Sequence, residues 1–358
     1  MKPIKLLVDS FADDNLTNAQ MINAREIVSR LDPQRFHVTM FVLGSEVPKI
    51  ASRPNTRLIK LPQRLQTIPI LGQFLFGSHD ILFYMKAAPA SRLYLKLRPL
   101  QLPRRSLVAT VESQTDWRDE TIPPAARHLF EQTILRCEHL FSNSVMVQRS
   151  LRANYGLHSE IVRTGVDIDF FTPRWQKSPN FRSQVLFIGS LRTFKGPQVL
   201  LLAAKLFPEA DFVLIGDGVL REELQARSKS LRNVEICGTL PRKEVRERLS
   251  RADVFLFPSC WEGSPRVLLE AAASGLPTIA RKDYEPESVV DGVTGFLAAN
   301  DDEIMSCLER LLRDSELRRT MGQAARAHIA AFSWDVITRQ WEQIFIRLAA
   351  VQRTGDRP

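Results

Sequence analysis

The chain is poor in the residues that hold small secreted or metal-built folds together. Four cysteines occur in 358 residues, Cys137, Cys237, Cys260 and Cys307, with no paired spacing, so neither a disulfide framework nor a zinc site is indicated. The six histidines are equally scattered, and no metal site is expected. No apolar run approaches the roughly 20 residues of a membrane span. Ile4 to Val8 is too short for the core of a signal peptide, and Asp9 breaks it. Without such a signal the glycosylation sequon Asn15-Leu16-Thr17 carries no weight. A Gly-x-Gly-x-x-Gly turn is missing too: the first strand runs into Val8-Asp9-Ser10, and Gly216-Asp217-Gly218 lacks a third glycine. This disfavours a nicotinamide-linked oxidoreductase. With no zinc finger, RNA-recognition motif or basic zipper, nucleic acid is not an expected partner. The expected location is cytoplasmic.

What is present is an ordinary soluble composition, 44% hydrophobic and 25% charged, with a net charge of +9. That charge admits anionic lipid or phosphorylated small molecules as partners. Short apolar runs alternate with segments of helical spacing twice along the chain. Strands are predicted at Ile4 to Asp9, Phe36 to Leu43, Arg57 to Leu61, Asp80 to Tyr84, Ser106 to Glu112, His139 to Asn143 and Glu160 to Thr164. After a Pro- and Ser-containing linker ending near Ser183 the pattern restarts, at Val185, Phe212, Val234, Val254, Pro277 and Phe296. Strands separated by helices imply doubly wound, mostly parallel α/β sheets, here two of them. The segment from about Ser333 to Leu348 is an amphipathic helix that needs an apolar surface to rest on.

Two loops carry the chemistry. Val254 to Phe257 reads as a buried strand; Ser264 as N-cap and Pro265 at the first helical position open a helix that Gly275 and Pro277 end. Glu262 lies in the loop and Glu270 about a turn and a half into the helix. Helix N-termini at the carboxyl ends of parallel strands favour phosphate, and ionised carboxylates accept hydrogen bonds from sugar hydroxyls. Taken alone, the two glutamates read more simply as solvated helix-end charges. The second loop, Gly189-Ser190-Leu-Arg192-Thr-Phe-Lys195-Gly196-Pro197, follows another strand. Its glycines allow close backbone approach, and Arg192 and Lys195 place two cations where a diphosphate can sit. The pair of loops makes a stronger case than either one.

A third feature lies between Lys86 and Arg105, where Lys86, Arg92, Lys96, Arg98, Arg104 and Arg105 occur without an acidic residue, interleaved with Leu93, Tyr94, Leu95, Leu97 and Leu100. Such a segment suits an anionic membrane interface or a phosphorylated lipid acceptor. A helix with its apolar side in the core and its basic side in water is the simpler alternative.

Taken in order, these motifs resemble the family-four retaining glycosyltransferases (glycosyl transferases group 1), most clearly over Val185 to Leu297. The resemblance rests on Thr164-Gly-Val-Asp167 with Phe171 and Pro173, Gly189 with Lys195-Gly196, and Gly238. Further on it includes Ala252-Asp253, Pro258-Ser259, Glu262-Gly263 through Glu270-Ala271, Gly275-Leu276-Pro277, and Glu287 followed by Asp291-Gly-Val-Thr-Gly295. It implies the GT-B fold, α/β with two Rossmann-like domains facing across a cleft. The expected division is an acceptor domain over 1–172, a nucleotide-sugar donor domain over 173–332, and a helix over 333–358 returning to the first domain.

The resemblance also implies roles. Lys195 binds the donor diphosphate, with Arg192 in support and Gly189 and Ser190 on the same loop. Glu270 holds the ribose, and Glu262 the donor sugar, with backbone contacts from Gly263 and Ser264. Gly238 to Leu240 lies near the base. The catalytic residues are then Glu262, Lys195 and Arg192. No cofactor or metal is implied beyond a UDP- or GDP-sugar, and the acceptor is a glycan, a lipid-linked or a small hydroxyl compound. Four positions or segments depart from the family. Ser190 replaces an arginine, Asp283-Tyr284 a glycine pair, and Glu112 a histidine; Asp13 to Gln20 stands in place of a glycine-rich acceptor loop. The last two, both in the acceptor domain, point to an unusual acceptor bound by Glu112, Asn15 and Asn18. An epimerase or phosphorylase on the same fold, or a catalytically lapsed scaffold at the inner face of a membrane, are the alternatives.

Overall fold

The computed structural model describes residues 2–13, 18–101, 105–117, 122–174 and 182–354. They form two compact units: one runs to Thr164 and is joined by the chain from Trp334 onward, the other is Gly165–Ser333.

The first unit contains strands β1 (Ile4–Phe11), β2 (Phe36–Val42), β3 (Thr56–Lys60), β4 (Ile81–Phe83), β5 (Ser106–Val111), β6 (His139–Ser142) and β7 (Glu160–Ile161). Its helices are α1 (Ala19–Arg30), α2 (Pro48–Ala51), α3 (Thr67–Phe76), α4 (Pro89–Leu97), α5 (Pro124–Thr133) and α6 (Val145–Tyr155). The sheet order is β3-β2-β1-β4-β5-β6-β7, and every pairing is parallel. The central strands β4 and β5 are buried along their length because both faces are covered, as a parallel sheet requires, while the edge strands β3 and β7 are partly exposed. Phe74 and Tyr94 fill one face.

The second unit holds β8 (Gln184–Ile188), β9 (Asp211–Ile215), β10 (Val234–Gly238), β11 (Val254–Phe257), β12 (Thr278–Arg281) and β13 (Gly295–Ala298). Its helices are α7 (Gln198–Leu206), α8 (Arg221–Ser228), α9 (Arg242–Arg251), α10 (Arg266–Ala273), α11 (Asp301–Arg313) and α12 (Ser315–Ile329). The order β10-β9-β8-β11-β12-β13 again reverses direction once. Both units are the doubly wound sheets that the alternation of strands and helices predicts.

The last helix, α13 (Trp334–Thr354), belongs to the first unit. The ring of Trp341 lies 4.8 Å from that of Phe83 and 4.9 Å from that of Phe141, and Phe345 lies 4.8 Å from Phe83. This is the apolar surface its amphipathic pattern calls for. The division between units falls before Gly165, earlier than the 172/173 boundary read from the sequence. Phe171 is buried in the second core, the Val166 N–H donates to the Phe332 carbonyl at 2.9 Å, and the Arg326 guanidinium donates to the Ile168 and Phe171 carbonyls. Helix α12 lies in a stretch to which the sequence reading assigned no element. Asp314 caps it by accepting from the Leu317 N–H at 2.9 Å.

The second unit's strand ends are drawn together by glycine. Gly216 has φ +138, and a Cβ there would lie 1.8 Å from the Gly189 carbonyl oxygen. The loop after β9 can therefore press on the loop after β8 only because position 216 has no side chain. Gly216→Ala should cost about 2 kcal/mol or more of stability in denaturant titration. Gly72→Ala, in a helix with nothing within 4 Å of the added methyl, should leave stability unchanged or slightly raised. Equal effects from the two substitutions would contradict the close approach.

Candidate active site

The second sheet reverses direction between β8 and β11, and ligands of open α/β sheets bind outside the carboxyl ends of strands at such a point. The loops after these two strands meet there. The first passes through a 3-10 turn, Thr193–Lys195, and leaves it at Gly196 with φ +64. A Cβ on Gly196 would stand 2.9 Å from the Pro258 carbonyl oxygen, so glycine sets how closely the loops fit. The Cys260 N–H seals the contact by donating to the Phe194 carbonyl at 2.9 Å.

That contact brings Lys195 and Glu262 together. The Lys195 ammonium donates to Glu262 Oε1 in an ion pair whose side chains are only 17% and 11% exposed. Ser259 Oγ donates to the same carboxylate oxygen at 2.6 Å. The ammonium also lies 5.3 Å and 5.5 Å from the ring centroids of Phe194 and Phe257, within reach of a cation–π attraction. A largely desolvated pair held by a third polar group has little freedom to rearrange and presents both charges at one spot.

Glu270 lies on the following helix. Sequence spacing places the helix start at Pro265 with Ser264 as cap; the structure begins α10 one residue later. Pro265 precedes it, and no side chain bonds to its first turn among the described residues. Pro265 has no N–H to give and sits with an extended ψ of 116°, so its ring closes the loop and leaves the helix N-terminus uncapped. The far end is a Schellman turn, with the Leu276 N–H donating to the Ala271 carbonyl at 3.1 Å and the Gly275 N–H to that of Ala272 at 3.0 Å. Glu270 is nearly buried, 13% exposed, with Oε1 3.6 Å from Arg266 Nη2. Burial raises its pKa, against the pull of Arg266 and Arg242 in the other direction. Arg266 Nη1 is buried without a hydrogen-bond partner among the described residues.

The remaining positions that the resemblance assigns to the donor lie at or after the ends of β8, β10 and β11. Gly189 and Ser190 are half-buried, and the Gly189 N–H donates to the Ile215 carbonyl at 3.0 Å. Arg192 starts the 3-10 turn, its carbonyl accepting from the Lys195 N–H at 3.1 Å. Gly263 and Ser264 are half-buried in the β11–α10 loop. Gly238 ends β10 with φ +69 and is buried, and Leu240 follows half-buried. Thus one sheet edge carries the donor-side residues read from the sequence, and Lys195 and Glu262 meet there through their side chains.

In the first unit, Glu112 stands at the carboxyl end of β5. Its carboxylate accepts from the Tyr84 hydroxyl, from Asn23 Nδ2 at 3.2 Å and from Thr110 Oγ1 at 3.3 Å. Tyr84 has φ +64, a strained setting for an aromatic residue. Its hydroxyl is held far above the ordinary tyrosine range by burial and by the Glu112 charge. Asn18 is the N-cap of α1, accepting from the Met21 N–H at 2.9 Å. Asn15 lies outside the described residues.

Four residues escaped the sequence reading as site members. Ser259 orients Glu262. Arg266 pairs with Glu270 at an i, i+4 spacing that was there to be read. Arg242 acts on Glu270 from α9, and nothing in the sequence links the two. Tyr284, in place of a family glycine, is fully buried in the second core, and its hydroxyl is raised by burial and by the Glu262 charge.

Comparisons with known proteins bear on the family and the fold. Residues 171–328 match the family described as Glycosyl transferases group 1. The D-inositol 3-phosphate glycosyltransferase of Corynebacterium diphtheriae is 30% identical over 268 residues, covering 66% of this chain and 63% of that protein. The sulfoquinovosyl transferase SQD2 of Arabidopsis thaliana is 33% identical over 192 residues, 49% of this chain and 37% of its own length. The chain thus spans less than two thirds of these two relatives. Among solved structures, the sucrose-phosphate synthase of Thermosynechococcus elongatus superposes with a TM-score of 0.80 at 19% identity, covering 98% of this chain and 100% of its own. HepE of Anabaena in complex with UDP-glucose gives 0.75 at 17%, covering 96% and 100%. The two sheets are those of the GT-B fold.

The buried Glu270 makes a pH prediction. Its folded-state pKa is raised above the unfolded value, so the stability it contributes is complete below the ordinary carboxylate range and is lost as pH rises through the folded pKa. The unfolding free energy of Glu270→Gln relative to the parent should therefore move in the variant's favour between about pH 4 and about pH 7. A flat difference in denaturant titrations over that range would contradict a desolvated Glu270.

Proposed function

We propose that the chain, which matches the group 1 glycosyl transferases over residues 171–328, is a retaining, metal-independent glycosyltransferase. It moves a sugar from a nucleoside-diphosphate sugar to a hydroxyl group. The observation that carries this reading is the Lys195–Glu262 pair at the sheet's reversal point, followed by Glu270 on the next helix.

Each group then has a task. Lys195 and Arg192, with the uncapped N-terminus of α10, take up the diphosphate charge as it grows on the leaving group. These fixed cations serve where other transferases employ a divalent ion. Glu270 accepts hydrogen bonds from the ribose hydroxyls, and Arg266 and Arg242 keep its buried charge tolerable. Glu262, fixed by Ser259, accepts from a hydroxyl of the donor sugar. Gly238 to Leu240 borders the base. In the retaining step the C1–phosphate bond breaks as the acceptor oxygen bonds C1 on the same face, and the acceptor proton passes to the departing phosphate oxygen. No protein nucleophile is needed. UDP-glucose is the first donor to try, since HepE was crystallised with it; GDP-sugars come next.

The first unit supplies the acceptor side, with Glu112 at the end of β5 as its carboxylate. The acceptor is a glycan or lipid-linked hydroxyl compound, met at an anionic membrane face through residues 86–105.

Slow donor hydrolysis tests the reading without knowledge of the acceptor. With a chelator present, the chain should release nucleoside diphosphate from its donor. Lys195→Ala should slow release about 100-fold or more, whereas Glu270→Ala should chiefly raise the donor KM. Release that needs added metal, or that survives both substitutions, would overturn the proposal.

A further inference from the structure

Three elements of the first unit end where its strands begin. Phe76 closes α3 before β4, the 3-10 turn Arg98–Leu100 precedes β5, and Arg136 precedes β6. This edge is opposite to the carboxyl ends that hold Tyr84 and Glu112. A hollow of about 420 Å³ opens on it, lined by Arg92, Lys96, Arg98, Pro99, Gln132 and Arg136 among others. Arg98 pairs with Glu138 at 2.8 Å. Arg92, Lys96 and Arg136 are exposed and have no acidic partner among the described residues. The sequence supplies no acidic residue between Asp80 and Glu112.

The same edge exposes apolar bulk. Among the described residues, the large exposed hydrophobics of this unit ahead of α13 are Leu65, Ile68, Phe76, Leu93 and Leu100, with Phe76 and Leu100 each 85% exposed. Gln101 Nε2 donates to the Phe74 and Leu75 carbonyls at 3.2 Å and 2.6 Å, and Arg105 Nη1 to that of Phe74 at 2.8 Å. These bonds fix the chain at Leu100 against the end of α3 that carries Phe76. Pro99, next to Leu100, lines the hollow. Cations near helix C-termini complement the helix dipole, which accounts for Lys96 but not for two fully presented apolar side chains beside it.

We infer that this edge is a docking surface for an anionic phospholipid bilayer, with headgroup phosphates in the hollow and Phe76 and Leu100 inserted at the interface. Unpartnered cations beside protruding apolar side chains fit the charge and polarity profile of that interface. The inference deepens the membrane association proposed above, and it extends the surface to Arg136 and to α3. With Tyr94 buried on α4, one side of α4 serves the core, while Arg92, Leu93 and Lys96 face outward.

Flotation of the full chain with vesicles tests it, using phosphatidylcholine alone or mixed with phosphatidylglycerol. Binding should require the anionic lipid and weaken with salt. Arg92→Gln with Lys96→Gln should weaken it about 30-fold, at about fivefold per charge. Phe76→Ser with Leu100→Ser should weaken it about tenfold or more. Donor hydrolysis should be unchanged in both variants. Equal binding by all forms, equal binding to neutral vesicles, or no vesicle binding would overturn the inference. So would a thermal shift with free glycerol 3-phosphate while vesicles stay unbound, which would make the hollow a soluble-anion site. Vesicle binding without donor hydrolysis would support this surface and count against the transferase reading.

Discussion

The second unit depends on a cation and an anion that are held together largely shielded from solvent. Lys195 and Glu262 come from loops after different strands, and their pairing is possible because Gly196 lets the β8 loop close on Pro258 of the β11 loop, while Gly216 lets the loop after β9 press on the β8 loop from the other side. Losing either charge would leave the other poorly solvated, so both loops are tied to one arrangement. Ser259 and the rings of Phe194 and Phe257 surround the pair. The consequence is a pair of charges that is fixed in place and largely shielded from solvent, the condition under which electrostatic stabilisation of a leaving group is most effective.

Glu270 shows the opposing tendency. A carboxylate this deep in the fold resists ionisation, and Arg266 and Arg242 only partly offset that. A hydroxyl-rich ligand would complete its hydrogen bonding, so stability given up in the free protein becomes affinity in the complex. In the first unit Glu112 is satisfied differently, by Tyr84, Asn23 and Thr110. Residues near strand ends thus serve separate purposes in the two units: the second unit leaves polar capacity open, while the first largely fills it from within.

Much of this was legible in the sequence because it is local. The strand at Val254 to Phe257, the glycines beside Lys195 and the Glu-x7-Glu spacing each lie within a short window, and the parallel order followed from strand and helix alternation. The last helix announced its need for a partner through its own periodicity. What escaped depends on contacts across the chain. Asp167 to Phe171 read as the end of the first domain, yet Arg326 and the second core claim it. Pro265 closes a loop where spacing suggested the first helical residue. Arg242 reaches Glu270 from another helix, and Asn18, a candidate ligand by position, is occupied as a helix cap. Propensity and spacing do not encode which distant group a side chain will meet.

In the proposed site Lys195, fixed by Glu262, recognises the second phosphate of a nucleoside diphosphate. Calorimetric titration in the presence of a chelator tests it most directly, comparing a nucleoside diphosphate with its monophosphate for the parent and for Lys195→Ala. The account predicts at least about tenfold tighter binding of the diphosphate to the parent, a difference of about 1.4 kcal/mol, which vanishes in the variant. Equal affinities for the two nucleotides in the parent, or a preference that survives loss of the lysine, would contradict it.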